Sequence, residues 1–559
     1  MKIFFIVLVG LIILYFFYVE YKNKRNILRS FNRSYGEKPK DYYEDFDMTF
    51  VKRYYEERKE NEPKGEAIDE LTWNDLDMDS VFKRSNYTNT SLGEFYLYYK
   101  YREIINDNKD RDTIEKLVEI FMKNENLRNN IKLLLFKVGK LNDDKLIKFI
   151  YKPTFSRVTS YFKYPMLVLG MLLSIILAFI NYKVGVAGIL IFTCTNILVY
   201  QSAKIILEEN FNVMIYLLNN IMLCNNLSKI QDKDFKIYKD EIKRVLDNFK
   251  DLKKIKKYSK TISKDRQGIF SDADILIQYI KMFFMMDIIA YENISKLLEK
   301  NKENLYPIYD IVAKLDLALS IAYYRKSLEQ YTKPEFTEED IMVLEDLYHP
   351  LIDEPVKNSI NINKNIIFTG SNASGKSTFI KSIAINCIMA QSLNTVLCTK
   401  YKCKFSKVVT SMAIRDNIIE GDSYFIAEIK SLKRLIGSLN SDINVIAFID
   451  EILKGTNTTE RIAASASILR YANNTSAKVL VATHDMELTE IIKEGYDNYH
   501  FRETITDDDV IFDYKLRKGA SRTRNAIKLL EVMNFENIVV NDAIKLYEDF
   551  ILNKQWNKA

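Results

Sequence analysis

The stretch Asn365–Thr378 reads NIIFTGSNASGKST, a short apolar run leading into a glycine loop, a lysine and two hydroxyls. Gly370, Gly375, Lys376 and Ser377 fill the spacing G-x-x-x-x-G-K-S, with Ser371, Asn372, Ala373 and Ser374 between the glycines and Thr378 behind them. Each residue type has a task in holding phosphate. Glycines let the backbone curl so that successive N–H groups converge on phosphate oxygens, and the helix that follows adds its positive N-terminal end. Lys376 adds a full charge, and the Ser377 hydroxyl is placed to ligate Mg²⁺. Strand-like residues precede the loop and helix-like residues, Phe379–Ser392, follow it. The loop is therefore read as binding a nucleotide, with ATP and Mg²⁺ as the expected cofactors.

Two later segments supply the rest of such chemistry. Val445–Glu451 is an apolar strand ending in two carboxylates. Asp450 at that end can hold Mg²⁺, directly or through water, and Glu451 can polarise the water that attacks a γ-phosphate. A third apolar run, Lys478–Thr483, ends in His484. A histidine in that place can sense the γ-phosphate or orient the water; on its own it would more often be structural, and the order of the three motifs gives it the role. Glu451 and His484 are the expected catalytic pair, and Ser377 and Asp450 the expected metal ligands.

The chain that must position these residues has 559 of them, enough for two to four domains. Its net charge of +6 is too small to mark the whole molecule as a polyanion binder, so any basic surface is local. Cys194, Cys224, Cys387, Cys398 and Cys403 include no CxxC pair, and with three histidines in the chain they argue against a structural zinc site. Free thiols suit a reducing compartment.

Ile3–Val19 is almost wholly apolar and uncharged, followed by Lys22, Lys24 and Arg25. That is just long enough to cross hydrocarbon, which takes about 17–25 residues. A signal peptide competes with an uncleaved anchor, but no small-residue cleavage site follows the apolar core. Pro165–Ile180 and Val184–Tyr200, joined by Asn181, Tyr182 and Lys183, predict a helical hairpin in the membrane; two buried core helices are the alternative. Lys152, Arg157 and Lys163 before the hairpin and Lys204 after it put both its ends in the cytoplasm, in agreement with the first anchor. Between the spans, residues 38–80 show no clean period, whereas residues 82–140 and 202–347 are helical in pattern. The basic run Phe249–Lys260, continuing to Lys264 and Arg266, admits three readings: a solvated helix face, contact with nucleic-acid phosphates, or contact with anionic lipid.

GSNASGKST at 370–378, FIDEILKGTNTTER at 448–461 and LVATHD at 480–485, in that order, resemble the ATPase domain of the MutS mismatch-repair family, an ABC-type ATPase. Outside these motifs, His349-Pro350-Leu351-Ile352 resembles the element that opens that domain, and Asn372 matches the asparagine of its phosphate loop. Gly421–Glu428 is similar to its signature segment, which implies that Ser423 reaches the nucleotide of a partner subunit. Asp497–His500 and Tyr514–Gly519 fit its closing strands, Arg524–Ile551 its C-terminal pairing helices, and Thr88–Glu103 the start of its core-and-lever helices. The sequence departs from the family at Ser371–Ser374, at Leu453-Lys454-Gly455-Thr456 and at Glu460-Arg461. The N-terminal anchor and polar segment are also too short for the family's mismatch-reading domain, which implies a membrane-anchored variant lacking it.

The expected architecture is an α/β P-loop NTPase domain of ABC type, MutS-like, preceded by an all-α core and lever region, with about three transmembrane helices. The expected divisions are an anchor at 1–20, a connecting segment at 21–80, a helical core at 81–160 and the membrane hairpin at 165–200. A helical lever at 202–345, the ATPase domain at 346–520 and dimerisation helices at 521–559 follow. The resemblance implies a homodimer that hydrolyses ATP to ADP and phosphate as a conformational switch, with DNA as partner, held in the cell membrane by multiple spans with its other regions cytoplasmic. A nucleotide-gated membrane scaffold with a protein partner is one alternative, and an ABC-type transporter component another. Binding of duplex DNA that weakens steeply with salt is the outcome expected of the DNA reading, since phosphate contacts release counterions. No binding even at low salt would leave the scaffold, and ATP hydrolysis in liposomes stimulated by a transported solute would leave the transporter.

Overall fold

The computed structural model describes residues 2–39, 46–62, 65–104, 106–154, 162–262, 279–371, 374–412, 424–454, 456–505, 510–520, 526–533 and 535–553. The chain forms two compact units. One holds Met1–Pro63, Ser85–Tyr99 and Lys109–Ser327, and the other Lys64–Arg84, Lys100–Asn108 and Leu328–Ala559. In chain order the first elements are α1 (Lys2–Ser34), α2 (Thr49–Asn61), β1 (Glu66–Ala67), α3 (Glu70–Asp75), α4 (Met78–Ser85), α5 (Ser91–Arg102) and β2 (Glu103–Ile104). Then come α6 (Asn108–Lys123), α7 (Glu125–Val138), α8 (Asp144–Tyr151), α9 (Lys163–Ile180), α10 (Tyr182–Leu227), α11 (Lys236–Asp247), α12 (Leu252–Ile262), α13 (Met286–Lys300) and α14 (Leu305–Lys326).

The first unit is helical throughout its described residues. The stretch 21–80, expected to be connecting structure, holds much of α1, all of α2 and α3 and the start of α4. Its helical signal is masked because tyrosines stand where aliphatic residues usually mark a buried face: α2 buries Val51, Tyr54 and Tyr55. The Arg58 guanidinium lies 3.7 Å from the Tyr99 ring centre, which makes a buried cation a packing partner. The central fastening of the unit is Asp316 of α14. Its carboxylate, wholly buried, accepts the backbone N–H groups of Asn89, at 3.0 Å, and Thr90, at 2.8 Å, and the Thr90 hydroxyl at 2.7 Å. Residues some two hundred positions apart in sequence are joined there, and α5 starts from the loop so held.

α9 and α10 form the predicted hairpin. Among the described residues they carry the two helical segments long and apolar enough to cross a membrane, Lys163–Ile180 and Tyr182–Ile205, and only 17% of each is buried, so they are not core helices. They touch closely through small residues: a methyl group added to Gly185 would lie 2.2 Å from the Ala178 backbone. The first expected span falls in α1, whose helix runs on past it to Ser34; the side chains of residues 2–14 lie outside the described set. α10 is 46 residues long, its outer half exposing Leu190, Ile191 and Leu198 while its inner half buries Leu217, Ile221 and Cys224.

Helix ends at Lys326, before the expected boundary at 345, because the following residues pair as strands of the second unit. These are β3 (Glu335–Phe336), β4 (Met342–Leu347), β5 (Asn358–Ile362), β6 (Asn365–Thr369), β7 (Lys400–Cys403), β8 (Lys407–Ser411), β9 (Val445–Asp450), β10 (Lys478–Ala482), β11 (Tyr496–His500), β12 (Glu503–Ile505), β13 (Val510–Phe512) and β14 (Arg517–Lys518). The helices are α15 (Lys376–Leu393), α16 (Tyr424–Ser438), α17 (Thr458–Asn473), α18 (Met486–Ile491), α19 (Ala526–Val532) and α20 (Asn537–Asn553). The main sheet has the order β14-β11-β6-β10-β9-β8, with a second sheet β3-β7-β4-β5. β11, β6, β10, β9 and β8 run parallel, and β14 closes one edge antiparallel. Every residue of β6 and of β9 is buried, the mark of strands covered on both faces. On one face Leu432, Leu435 and Leu469 pack over Ile367, Ala447 and Val481.

The free edge of β8 is covered by the segment around α3. The Thr410 N–H donates to Thr72 Oγ1 at 3.2 Å, the Thr410 hydroxyl and the Met412 N–H donate to Asp75 at 2.7 and 3.0 Å, and Arg434 bridges Asp69 and the Thr410 carbonyl. An otherwise open row of strand donors is thereby satisfied.

Replacing Asp316 with alanine strands these buried donors, so Asp316→Ala should lower the stability of the helical unit by about 2–4 kcal/mol. The measurement is the urea midpoint of its unfolding; an unchanged midpoint would show that the fastening is dispensable.

Candidate active site

The glycine loop leaves the sheet at the C-terminal end of β6. Gly370 has φ 137° and Gly375 φ 100°, conformations that suit glycine and few other residues. At Gly370 there is no room either: a Cβ would lie 2.7 Å from the Phe501 carbonyl. Within the loop the Ser374 hydroxyl donates to the Ser371 carbonyl at 2.7 Å. Asn372 and Ala373 lie outside the described residues. Gly375 stands at the N-cap of α15 without a side chain to satisfy the first N–H groups, which are left to a ligand. Lys376 Nζ donates to the carbonyls of Gly370 and Ser371, both at 2.6 Å, so the ammonium folds across the loop. Burial lowers its pKa, opposed by the carboxylates of Glu451, Asp450 and Glu503.

Two strands away, β9 ends at the buried Asp450 and the chain turns sharply. Glu451 and Leu453 have φ of 63° and 57°, left-handed values that cost energy in residues other than glycine. The Glu451 N–H donates to the Ala482 carbonyl at 2.9 Å, tying the turn to the end of β10. The Glu451 side chain is thereby aimed at two basic side chains: Oε1 lies 3.3 Å from Nδ1 of His484, and Oε2 lies 3.1 Å from Nζ of Lys454. Burial pushes the Glu451 pKa up, but the hydrogen bond from His484 and the charge of Lys454 outweigh it and bring the carboxyl down to about 2. The hydrogen bond to Glu451 in turn raises the pKa of His484.

A cavity of about 800 Å³ joins these parts. Ser371, Gly375, Lys376, Ser377 and Thr378 line it with Asp450 and Glu451, together with His349, Ile352, Val356 and Tyr514. The structure therefore brings together the expected Gly375, Lys376, Ser377, Thr378, Asp450 and Glu451, with His484 on the outer side of Glu451. Ser423 lies outside the described residues. Ser377 and Asp450 offer a hydroxyl and a carboxylate, oxygen donors of the kind Mg²⁺ takes. Among the described residues no cluster of three or more His, Cys, Asp or Glu could cage a metal, so a cation held by these two completes its shell from water or phosphate.

The pairings among the partners of the site carry no signal in the sequence, although all of these residues but Glu503 stand inside the motifs quoted above. Ser371 Oγ donates to Oε2 of the buried Glu503 at 2.9 Å, bracing the loop from β12. Lys454 N–H donates to Glu428 Oε1 at 3.2 Å. Arg461 and Asp485 form a part-buried ion pair beside His484. None of these pairings is marked by a spacing; only the sheet brings the residues together. His349 accepts the Leu351 N–H at Nδ1, 3.2 Å away, and burial, with Lys381 nearby, lowers its pKa to about 4.

Residues 366–551 match the profile of MutS domain V. The chain is 30% identical over 275 residues to "MutS protein homolog 4" of Homo sapiens, covering 45% of this chain and 29% of that protein. It is 29% identical over 277 residues to "DNA mismatch repair protein MutS" of Fusobacterium nucleatum, covering 47% and 31%. To the protein of the same name from Thermotoga maritima it is 28% identical over 268 residues, covering 46% and 33%. The chain thus spans about three-tenths of the length of these relatives.

A base held neutral in the fold but free to ionise when unfolded gives the unfolded chain more protons between the two pKa values. Stability of the C-terminal unit should therefore fall as pH drops from about 6.5 to about 4 through His349. His349→Gln should remove that part of the slope. Urea unfolding followed by Trp73, which is buried in the same unit, measures it at pH 7 and pH 4.5; identical losses in both proteins would show that His349 is not held neutral.

Proposed function

We propose that this chain is a MutS-like, membrane-anchored ATPase working as a homodimeric nucleotide switch. The observation that carries the reading is the placing of Glu451 beside a glycine loop with its lysine, at the level of His484. In this reading the β- and γ-phosphates rest on the amides of residues 370–378, and Lys376 leaves the carbonyls of Gly370 and Ser371 for phosphate oxygens. Ser377 and Asp450 hold Mg²⁺, which when bound neutralises charge on the phosphates. Ile352, Val356 and Tyr514, apolar or aromatic residues of the cavity lining, take the base.

Glu451 is ionised at neutral pH and accepts a hydrogen bond from the attacking water. Lys454 and His484 each take one lone-pair site on its two oxygens, which leaves acceptor sites on both for the water. Lys454, on its flexible stem, can also turn toward phosphate, while His484 stays to orient the water. Strained backbone at Glu451 keeps the carboxylate aimed throughout.

Pairing of two copies is supported by the C-terminal helices, where Ile538, Val539, Ile544, Ile551 and Leu552 are exposed along α20 and its approach. Ser423 of each copy would then complete the site of the other. The exposed apolar hairpin of α9 and α10 supports insertion in the cell membrane, with both units cytoplasmic. Duplex DNA is the partner suggested by the relatives named for mismatch repair, and Lys253, Lys254 and Lys257 of α12 are exposed to meet phosphates. The alternative of a scaffold for a protein partner keeps the same ATPase.

The test is ATP hydrolysis by the detergent-solubilised protein with and without duplex DNA. Glu451→Gln should lower kcat at least about 100-fold while retaining ATP binding. Stimulation by DNA that disappears in this variant supports the switch; hydrolysis equal in both proteins would refute the role of Glu451.

A further inference from the structure

We propose that Arg461 is a positioning residue of this site: it grips Asp485, and through Asp485 it holds the loop that presents His484 to Glu451. The functional meaning rests on the ATPase reading; the contacts stand by themselves. Asn457 caps α17 by accepting the Thr459 N–H at 3.0 Å, and the Arg461 N–H donates to the Asn457 carbonyl at 2.8 Å, so the first turn of that helix is fixed. From it Arg461 Nε donates to Asp485 Oδ2 at 3.0 Å, and Nη2 donates to Oδ1 at 2.5 Å. The two side chains are 12% and 7% exposed. A forked, part-buried guanidinium–carboxylate pair sets orientation as well as distance, which a lysine in the same place does less well.

The fixed carboxylate matters because of what adjoins it. Thr483 N–H donates to the Phe368 carbonyl at 3.0 Å, and Asp485 N–H donates to the Thr483 hydroxyl at 3.0 Å, so His484 sits between two anchored residues. The His484 side chain is 44% exposed, so packing does not hold its ring. One polar contact does, Nδ1 at 3.3 Å from Glu451, while Nε2 faces Asp485 Oδ1 at 3.8 Å, beyond hydrogen-bond distance but within reach of its charge. Free of Arg461, Asp485 would turn toward solvent or onto the ring, and His484 would sample other rotamers. Arg461 is not among the described residues that line the cavity, so it acts through Asp485 and not on the substrate.

The experiment uses the full-length, detergent-solubilised protein and the variants Arg461→Met, Arg461→Lys, Asp485→Asn, the double Arg461→Met/Asp485→Asn and the exchanged pair Arg461→Asp/Asp485→Arg. Arg461→Met and Asp485→Asn should each lower kcat about tenfold with KM for ATP within about twofold. The double variant should be no worse than either single one, and the exchanged pair and Arg461→Lys should recover part of the loss. Amide hydrogen exchange of residues 484–488 should quicken in both single variants while the centre of α17 stays protected. Losses that multiply to about 100-fold, a change carried by KM alone, or an Asp485→Asn protein with wild-type kcat and exchange would each overturn the proposal. If the wild type hydrolyses no more ATP than Glu451→Gln, the ATPase reading fails, and the exchange comparison still decides whether Arg461 positions the loop.

Discussion

The parallel register that joins β6, β10 and β9 is the constraint on which the C-terminal unit depends. Ala482 pairs with Phe368 on one side and with Asp450 on the other, so the three strands run out at a common level. Gly370, Glu451 and His484 therefore emerge side by side, although long stretches of chain separate them. Slippage by one residue in any strand would exchange the side chains on its two faces and carry its site residue across the sheet. Burial of β6 and β9 on both faces makes that slip costly. Ligands of open α/β sheets lie beyond the carboxyl ends of the strands, and the cavity here follows that rule.

What could be read from the sequence is what was local. The loop from Gly370 to Thr378 is legible because glycine, lysine and hydroxyl stand at fixed spacing within one turn of chain. Val445–Asp450 and Lys478–Ala482 are legible because buried parallel strands must be apolar throughout. The hairpin of α9 and α10 is legible because two long apolar runs flank a short polar turn. By contrast, the pairings of the site residues have no periodic or compositional mark. Glu503 sits between Arg502 and Thr504 in an unremarkable polar run, yet it braces the loop. Asp75 and Thr72 look like surface residues of a short helix until β8 is seen beside them. Tertiary pairing decides such roles, and one sequence does not display it.

The helical unit is organised by the same means, a few buried polar groups at the crossings of long elements. Asp316 fastens the start of α5, and Arg325 makes a two-pronged pair with Glu115 at 2.7 and 2.8 Å. Apolar packing alone would let helices slide along one another by a turn. A carboxylate that must meet particular N–H groups permits one alignment, since every other leaves a buried charge unpaired.

α10 has a mechanical property of its own. Its 46 residues at 1.5 Å rise make a shaft of about 69 Å. Beyond Gly188 it contains neither glycine nor proline, so no hinge interrupts the hydrogen-bonded ladder between the exposed apolar half and the half bedded among helices. Such a rod transmits torque without slack. A few degrees of tilt at the bedded end sweep the far tip through several ångströms.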